Sequence, residues 1–559
     1  MGDVLREPIA GPYDPAWSEL EYLPGGTRDA LRLETVGEAI LEDLLPGINN
    51  QTRRARYYSF WAWVLHEFIR DKGAIHNQRG FYEWLRPRED MLILAHLSHG
   101  HDTGAAGTNQ GKKHWHNGDP ESYSLDWVSL TSKKGGAYQQ YYRGVLEQMN
   151  IIESETEHPH DALRRPIGVA LAEAYGSSVR DTEYVERYWD ATRVTREIVE
   201  DFAEAGCLCR LSRFPAEREA LVDAFFRFDV NDAYAVKRLA SLSFFLDIID
   251  QAKGAPLDIA SMRAVIYYWS YGTDHPYVPK GNMLSPAKRW RVFQLRQYYV
   301  FAIESLWTLF LAKIEGRYST PDDYLNWLFL ELDLGAAGER FGVSLPASRP
   351  EDLNLGELQE AVEAARSDAR FEPGPAAREG DLDEHRLYSM LERAEIDLDA
   401  TTWAGSALLM LSLLYRRCQG WRGDVGWDYA IDTQGSDQLS IETYLRQAER
   451  AIEESWTVAR WLSWFHQRHL WLRHRRVVLQ KMVSRREDPS LFTWDENKFY
   501  GVSGDEPRMN GPRFQNALQI MEDLRLIRSD HSEHQTYFLL PDGEELLQSF
   551  RTYTIPEPE

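Results

Sequence analysis

The chain has 559 residues and a formal charge of −24, so its surface as a whole repels phosphate and any contact with nucleic acid must be local. Apolar residues make up 43% of the sequence and charged residues 27%, which is ordinary globular usage and excludes disorder over most of the length. Only three cysteines are present, too few for a disulfide framework, and neither a signal peptide nor a membrane-spanning stretch is recognisable. We therefore expect a cytoplasmic protein of about three or four domains, without a membrane partner.

Helical periodicity predominates along the chain, and strand-like alternation is scarce. We predict a mainly α, multi-domain fold with winged-helix-like α+β modules near the N- and C-terminal ends. The predicted boundaries are an N-terminal helical domain with a winged-helix-like unit in residues 1–190, a central helical domain in 191–345, an acidic connection enclosing a short helix (Asn354–Arg370) in 346–385, a helical domain ending in a long heptad-patterned helix in 386–486, and a C-terminal winged-helix domain in 487–559.

The first basic segment, Asn49–Arg56, directly precedes a run of aromatic residues that begins at Tyr57. Basic groups beside aromatic rings can clamp a sugar-phosphate strand and stack its bases. The alternative is that the aromatic residues form a core helix and that Arg53, Arg54 and Arg56 cap its solvated start. The sequence leaves both interpretations open.

A cluster of five histidines follows, with two aspartates beside them and several glycines between them. The members are His96, His99, His101, His114 and His116, with Asp102 and Asp119. Imidazoles with carboxylates suit Zn, Mn or Fe, but the spacing matches no zinc signature, so we predict that the histidines bind no structural ion. A metal site here is the open alternative. Cys207 and Cys209 lack a second cysteine pair and are expected to pack as small apolar groups.

The stretch after these histidines has the element order of the back half of a winged helix. A helical segment from Tyr138 ends in Ile151-Ile152, a polar loop follows, and Pro166 opens another helix. Basic side chains near the start of this stretch are candidates for contact with a phosphate backbone. These candidates are Lys133, Lys134 and Arg143.

Two long helices are predicted in the second half of the chain. The first starts at Ser285, its N-cap, stops at Gly316, and is expected to be largely buried. The second spans Ser440–Arg485 with a heptad-like apolar stripe, for which packing inside the same chain is favoured over an intermolecular coiled coil. Near its end, Arg468 and His474 are separated by five residues, a spacing that resembles the one in helical ribonucleases called HEPN domains.

The winged-helix element order returns near the C-terminal end. A helix leads to Leu526-Ile527, a polar turn precedes Thr536–Leu540, and another helix follows. In a DNA-binding winged helix, the first of these helices would present Arg513, Gln515 and Asn516 to base edges. Acidic residues around the end of this helix would repel phosphate, so protein binding is an equal alternative.

The order of a winged unit, a helical body, an acidic connection and a second winged unit is similar to the general plan of kleisin subunits, which bridge the ATPase heads of chromosome-organising complexes. The similarity is one of element order and includes no diagnostic motif. We therefore expect a non-catalytic adaptor or nucleic-acid-associated subunit of a prokaryotic multiprotein machine, in genome maintenance or anti-phage defence. Its expected partner is another protein or a second copy of the chain, with DNA or RNA as a further partner through local basic patches.

Two other functions stay open. The first is a metal-dependent nuclease or other hydrolase that uses the cluster between His96 and Asp119. The second is a winged-helix transcriptional regulator. The sequence contains no P-loop, dinucleotide-binding glycine motif, serine-hydrolase elbow or kinase signature, so no cofactor is expected and no catalytic residue is identified.

Overall fold

The computed structural model of the chain describes residues 29–72, 78–127, 129–130, 135–154, 161–271, 275–365, 382–431, 439–484, 489–530 and 535–553. Over these ranges the protein is mainly helical with small antiparallel sheets, as the periodicity of the sequence predicts. No helix in these ranges combines the length and the apolar character that crossing a bilayer demands.

Most of the described residues lie in α-helices joined by short loops. In chain order the helices are α1 (Glu34–Leu44), α2 (Arg56–Lys72), α3 (Gln78–Ser98), α4 (Thr108–Asn117), α5 (Arg143–Gln148), α6 (Ile167–Val179), α7 (Glu183–Arg187), α8 (Arg196–Gly206), α9 (Pro215–Phe226), α10 (Ala233–Ala252), α11 (Ile259–Tyr268), α12 (Leu284–Ile314), α13 (Pro321–Glu331), α14 (Leu334–Glu339), α15 (Leu355–Ala365), α16 (Glu384–Arg393), α17 (Ser406–Cys418), α18 (Asp428–Ile431), α19 (Ile441–Glu453), α20 (Val458–Phe465), α21 (Leu472–Ser484), α22 (Arg513–Asp523) and α23 (Pro541–Thr552).

The strands are short and pair in an antiparallel sense. They are β1 (Tyr123–Ser124), β2 (Ile152–Glu153), β3 (Ala162–Leu163), β4 (Arg193–Val194), β5 (Tyr318–Ser319), β6 (Phe492–Asp495), β7 (Lys498–Gly501), β8 (Ile527–Ser529) and β9 (Tyr537–Leu539). Strands β1 and β4, β2 and β3, and β8 and β9 form two-stranded sheets, while β5, β7 and β6 form a three-stranded sheet in that order. Ile527 pairs with Leu539 in the sheet of β8 and β9, and Trp494 pairs with Phe499 between β6 and β7.

The described residues form two compact units, and each unit is built from segments that are distant in sequence. Unit 1 contains residues 29–40, 260–278 and 287–510, and unit 2 contains residues 41–259, 279–286 and 511–553, apart from the gaps given above. The five segments predicted from the sequence are proposed to be separate domains, and this division stays a prediction.

The core of unit 2 is built around α2, which packs against α6 and α9. Tyr57, Tyr58 and Trp61 of this helix are fully buried. The ring of Tyr142 lies 4.6 Å from that of Tyr57 and 6.3 Å from that of Trp61. Such aromatic pairs contribute about 0.5 to 1.5 kcal/mol each beyond the area that they bury. The aromatic run after the first basic segment is therefore part of a core helix.

The core of unit 1 contains most of α12, a helix of 31 residues. Trp290, Leu306 and Phe310 are each exposed by no more than 1%. Every residue from 290 to 311 is buried, polar side chains included, so the helix is largely enclosed, as its sequence predicts. Gly316 follows the helix with a left-handed φ of 62°, a conformation in which glycine commonly ends helices. The helix predicted between Ser285 and Gly316 is confirmed.

The stretch predicted as one helix, Ser440–Arg485, is interrupted once among its described residues, between α19 and α20, while the π-helical segment His466–Trp471 joins α20 to α21. Helix α19 ends at Glu453, and Ser455 adopts a left-handed φ of 53°. Thr457 is the N-cap of α20, and its hydroxyl accepts a hydrogen bond from the N–H of Arg460 at 3.2 Å. The seven-residue repeat continues through the break in the sequence, but the backbone does not follow one helix axis. The stripe is therefore not a continuous coiled-coil seam.

The element orders that suggested winged helices are present at both places. Helix α22, β8, β9 and α23 follow one another as predicted, with Leu524 and Ile527 buried, and α5, β2, β3 and α6 do so earlier in the chain. However, β2 and β3 have two residues each, and α22, β9 and α23 pack on α10 within unit 2. The helix–strand–strand–helix order is confirmed, whereas the winged-helix modules stay a prediction.

Part of the predicted acidic connection belongs to the core of unit 1. Its short helix, predicted over Asn354–Arg370, is observed as α15, and residues 366–370 lie outside the described ranges. Leu355, Leu358 and Val362 on one face of α15 are buried, and the helix packs against α17. The apolar face at this helical spacing explains why this part of the connection is packed.

Candidate metal centre

Helix α3 ends in the segment His96–His101, and the form of this ending sets the position of its histidines. Gly100 has a left-handed φ of 74°, which glycine adopts without a Cβ penalty. The N–H of Gly100 donates to the carbonyl of Leu97 at 2.9 Å, and the N–H of His101 donates to the carbonyl of His96 at 3.3 Å. These two bonds form a Schellman cap. His99 and His101 therefore flank the capping glycine.

Two cysteines come from the junction between α8 and the 3₁₀ turn Leu208–Arg213. The N–H of Cys207 caps α8 by donating to the carbonyl of Ala203 at 3.2 Å, and the Cys207 side chain is buried. Cys209 lies on the first turn of the 3₁₀ segment and is half-buried. The two Sγ atoms are 3.3 Å apart. The Cys-x-Cys spacing thus brings both thiols to one point.

His99, His101, Cys207 and Cys209 offer four ligand atoms that all lie within 4.8 Å of one another. Nδ1 of His99 is 3.3 Å from Sγ of Cys209. A tetrahedral zinc site with bonds of about 2.3 Å to sulfur and about 2.0 Å to nitrogen has edges of roughly 3.3 to 3.8 Å between its ligand atoms. The separations of the four atoms, none above 4.8 Å, therefore exceed the edges of such a tetrahedron by at most about 1.0 to 1.5 Å.

The two thiols differ in their readiness to bind a cation. A hydrogen bond with Cys207, together with the neighbouring His101 and His99, lowers the pKa of Cys209 to about 4. The same hydrogen bond, together with burial, raises the pKa of Cys207. Because the thiolate is the form that ligates metals, Cys209 is ready at neutral pH, whereas Cys207 must release its proton when an ion binds.

A carboxylate lies behind His99. Oε1 of Glu204 is 3.3 Å from Nε2 of His99, and Arg210 and Arg213 pair with this carboxylate at 2.6 and 2.8 Å. Nη2 of Arg210 also lies 3.3 Å from Nε2, so the proton position on His99 depends on which neighbour its nitrogen faces. When Nδ1 binds a cation, Nε2 carries the proton and donates to Glu204. A carboxylate in this position orients the ring and strengthens the ligand.

His96 supports the cluster from the interior. Its Nε2 donates to the carbonyl of Thr103 at 2.8 Å, so its Nδ1 is unprotonated and faces Sγ of Cys207 at 3.7 Å. The rings of His96 and His101 stack with their centroids 4.7 Å apart. Burial lowers the pKa of His96 to about 4, which keeps the ring neutral. His96 therefore orients His101, and its Nδ1 lies as an acceptor beside the Cys207 thiol.

Two arginines predicted to contact nucleic acid lie behind the cysteine turn. Nη1 of Arg56 donates to the carbonyl of Cys207 at 2.7 Å, and Nη2 pairs with Glu217 at 2.9 Å, both charged side chains being 0% exposed. Nη2 of Arg54 donates to the carbonyl after Cys207 at 3.4 Å, and its Nε pairs with Asp523 at 2.8 Å. These guanidinium groups fix the backbone that carries the thiols.

The other residues of the predicted histidine cluster lie elsewhere. His114 stacks on Trp127 with ring centroids 4.7 Å apart, and His116 is exposed near the end of α4. Asp102 pairs with a lysine at 3.2 Å, and Asp119 accepts a backbone hydrogen bond in a turn at 3.0 Å. Of the five predicted histidines, His99 and His101 belong to the converging group, and His96 contacts it.

The remaining basic candidates of the N-terminal half have different surroundings. Arg53 is exposed. Arg143 pairs with Asp161 through Nη2 and Nε at 2.8 and 2.9 Å, and its side chain is 34% exposed. Lys133 and Lys134 lie outside the described residues. Contact of this set with nucleic acid stays a prediction.

The candidates on α22 are mostly used inside unit 2. Nη1 of Arg513 donates to the carbonyl of Ile48 at 3.3 Å, and Nδ2 of Asn516 donates to the carbonyl of Asn49 at 2.6 Å. Both side chains are buried, whereas Gln515 is half-buried. A helix that reads DNA directs such groups to base edges, but here two of the three hold the loop before α2. Base contact by these residues also stays a prediction.

Arg468 and His474 have the spacing that resembles HEPN ribonucleases, and in the structure His474 has a structural role. Nδ1 of His474 donates to the carbonyl of Ala30 at 3.0 Å, and Nε2 accepts from the N–H of Leu491 at 3.0 Å. The side chain is 1% exposed. Both ring nitrogens are therefore engaged with backbone groups of unit 1, so His474 has no nitrogen left for proton transfer in this conformation.

Reasoning from the sequence missed the meeting of His99 and His101 with Cys207 and Cys209. Each pair alone matches no zinc signature, and the two pairs are too distant in sequence to be joined by one, since 110 positions separate His99 from Cys209. The signal that could have joined them is that each pair consists of two potential ligands with one residue between them, and that each pair lies next to the end of a helix.

No protein-family model matches the chain, and no curated protein or solved structure matches it either. The case for a metal centre therefore depends on the geometry and chemistry of the four residues.

Proposed function

We propose that unit 2 binds one zinc ion through His99, His101, Cys207 and Cys209, and that the ion has a structural role. The observation that carries this proposal is the convergence of the four ligand atoms within 4.8 Å. Two thiolates and two imidazoles suit Zn²⁺, whereas Mg²⁺, Ca²⁺ and Mn²⁺ prefer oxygen ligands.

The number of protein ligands favours a structural ion over a catalytic one. Structural zinc sites are closed by four protein ligands, while catalytic sites have three and keep the fourth position for water or substrate. The ion would join the end of α3 to the end of α8, two helices that pack against each other in unit 2. This supports a non-catalytic protein over a metal-dependent nuclease or other hydrolase.

On this basis the protein is a non-catalytic adaptor of a multiprotein machine. The interior use of Arg56, Arg513 and Asn516 favours a protein partner over a nucleic-acid reader. Unit 1 also presents an exposed aromatic pair, in which Tyr318 is 76% exposed and its ring lies 4.9 Å from that of Tyr500. Exposed apolar groups of this kind are typical of surfaces that bind other proteins.

The decisive experiment is elemental analysis of the full chain purified without added metal. One zinc per chain is expected, with loss of the metal in His99→Ala and in Cys209→Ser. His116→Ala is the matched control, because this exposed histidine lies outside the converging group and its variant should retain zinc. Substoichiometric zinc in the native chain, or full occupancy in Cys209→Ser, would refute the site.

A second measurement separates the structural role from a catalytic one. Chelation of the metal should lower the unfolding midpoint, since an ion that binds only the folded chain stabilises it by about 4 kcal/mol at a thousand times its dissociation constant. The zinc-loaded protein should not cleave DNA or RNA. Metal-dependent cleavage that disappears in His99→Ala would favour the hydrolase instead.

A further inference from the structure

Unit 1 contains a cavity of about 610 Å³ beside helix α12. Thr308, Ala312 and Glu315 line it, and their spacing of four and three residues places them on one face of the helix and its end. The volume falls in the range of small-molecule sites and far exceeds the space of about 30 Å³ that one water molecule takes. A small organic molecule would therefore fit into this cavity.

The polar part of the wall has an excess of negative charge. Glu315, Asp505 and Glu506 line the cavity, and the one cationic side chain among the described lining residues is that of Arg508. The Arg508 guanidinium is already directed to Asp505 at 3.4 Å and to Glu34 at 3.8 Å. Among the described residues, the carboxylates of Glu315 and Glu506 have no ion-pair partner.

A buried carboxyl group lies behind the wall. Glu304 accepts a hydrogen bond from the N–H of Arg508 at 2.9 Å. Burial raises the pKa of Glu304 well above its ordinary value, and the nearby negative charges of Glu34 and Asp29 raise it further. Burial likewise raises the pKa of Asp505. Burial is the main cause of both shifts, and a cation bound in the cavity would favour the charged form of Asp505.

An independent feature on the same wall is the hydroxyl of Thr308. The residue is 1% exposed, and its Oγ1 has no hydrogen-bond partner among the described residues. A buried hydroxyl without a partner is unfavourable by about 1 to 3 kcal/mol, and it is rare in native structures. A ligand in the cavity would satisfy it.

We propose that this cavity binds an aliphatic polyamine or a similar organic cation. Its ammonium groups would be received by Glu315, Asp505 and Glu506, with a hydrogen bond to the Thr308 hydroxyl. Its methylene chain would lie against the apolar lining residues. These are Ala312, Ile396, Pro489 and Leu491. Long amphipathic cations combine these two kinds of contact, whereas a bare metal ion would leave most of the volume empty.

Calorimetric titration of the full chain with spermidine at low salt tests the proposal. Saturable binding of one spermidine is expected, with affinity reduced at least about tenfold in the double variant Glu315→Gln, Glu506→Gln, since charge-assisted hydrogen bonds are the strong ones. Thr308→Val conserves shape and should weaken binding several-fold. The uncharged chain 1,8-octanediol should not bind.

The control variant is Glu339→Gln, an exposed carboxylate of unit 1 outside the cavity lining. It separates a site from general attraction to a chain of charge −24. Equal weakening in Glu339→Gln and in the double variant would overturn the proposal. So would the absence of saturation, or unchanged affinity in the double variant while its circular dichroism matches that of the native chain.

Discussion

Replacing Arg56 by alanine should destabilise unit 2 far more than replacing its near neighbour Arg53. The Arg56 pair with Glu217 is 0% exposed, and Ser59 Oγ donates to the same carboxylate at 2.6 Å. Removing one partner of a buried ion pair leaves a charge uncompensated, which costs about 3 to 5 kcal/mol. The lost bond to the Cys207 carbonyl adds about 1 kcal/mol. The free energy of unfolding should therefore fall by roughly 4 to 6 kcal/mol, which is a large part of the about 5 to 15 kcal/mol that stabilises an ordinary protein.

Urea unfolding followed by circular dichroism and tryptophan fluorescence measures this difference. Arg53 is exposed, so Arg53→Ala should change the free energy of unfolding by no more than about 0.5 kcal/mol. Arg56→Lys should fall between the two, because lysine keeps the charge but not the paired geometry of the guanidinium. Equal midpoints for Arg53→Ala and Arg56→Ala would refute the role given to the buried pair.

This result also decides how contact with nucleic acid is tested. Reversing the charge of Arg53, Arg54 and Arg56 together would unfold the unit, because the last two are partners of interior carboxylates. Arg53→Glu alone is the usable variant. DNA or RNA binding is expected only at low salt and should weaken in this variant, as measured by fluorescence anisotropy. Unchanged affinity would remove Arg53 from the interface.

Three further changes test other parts of the structure. Gly100→Ala forces a left-handed φ on alanine, so it should lower the free energy of unfolding by about 1 to 2 kcal/mol and lower zinc affinity in a chelator competition. Its control is Gly144→Ala, which lies in a helix with open space around it and should be neutral or stabilising. Leu524→Ala should lower the free energy of unfolding by about 2 to 5 kcal/mol in urea, and an unchanged midpoint would contradict the burial of this residue. Burial raises the pKa of Glu89 from 4.5 to about 7, so the folded state binds the extra proton and loses stability as pH rises through this window. Thermal unfolding of Glu89→Gln between pH 4.5 and 7 should lack this loss, and parallel curves for the two proteins would count against it.

Helices whose cause is local could be predicted from the sequence. The bounds of α12, Leu284–Ile314, lie within two residues of the predicted start and stop, because start and stop signals act within one turn of a helix. The N-cap assignment of Ser285 is wrong, since Ser285 lies inside the helix. The break between α19 and α20 could not be predicted. Ser455 takes a left-handed φ that its own propensity does not favour, and the apolar repeat continues across it. Packing decides such a site, and packing is not encoded in one local pattern.

The sequence showed the histidines of the candidate metal centre, but a metal site was only the open alternative to the prediction that they bind no structural ion. The cysteines that meet His99 and His101 follow α8, and the tertiary contact between α3 and α8 brings the two pairs together. The arginines show the opposite case. A local pattern marks Arg54 and Arg56 as cationic, yet it cannot reveal that Glu217 and Asp523 neutralise them inside the fold. Pairing between distant segments is the information that local reasoning lacks.

The discontinuity of unit 2 has a consequence for the growing chain. About 250 residues separate Ile259 from Gly511, which the ribosome adds in about 12 to 50 s. During that time α10 has no α22 to cover it, although Phe245 of α10 and Phe514 of α22 are stacked edge to face in the finished unit at 6.4 Å. The nascent protein therefore exposes an apolar helix face, and chaperones that bind such faces would protect it until synthesis is complete.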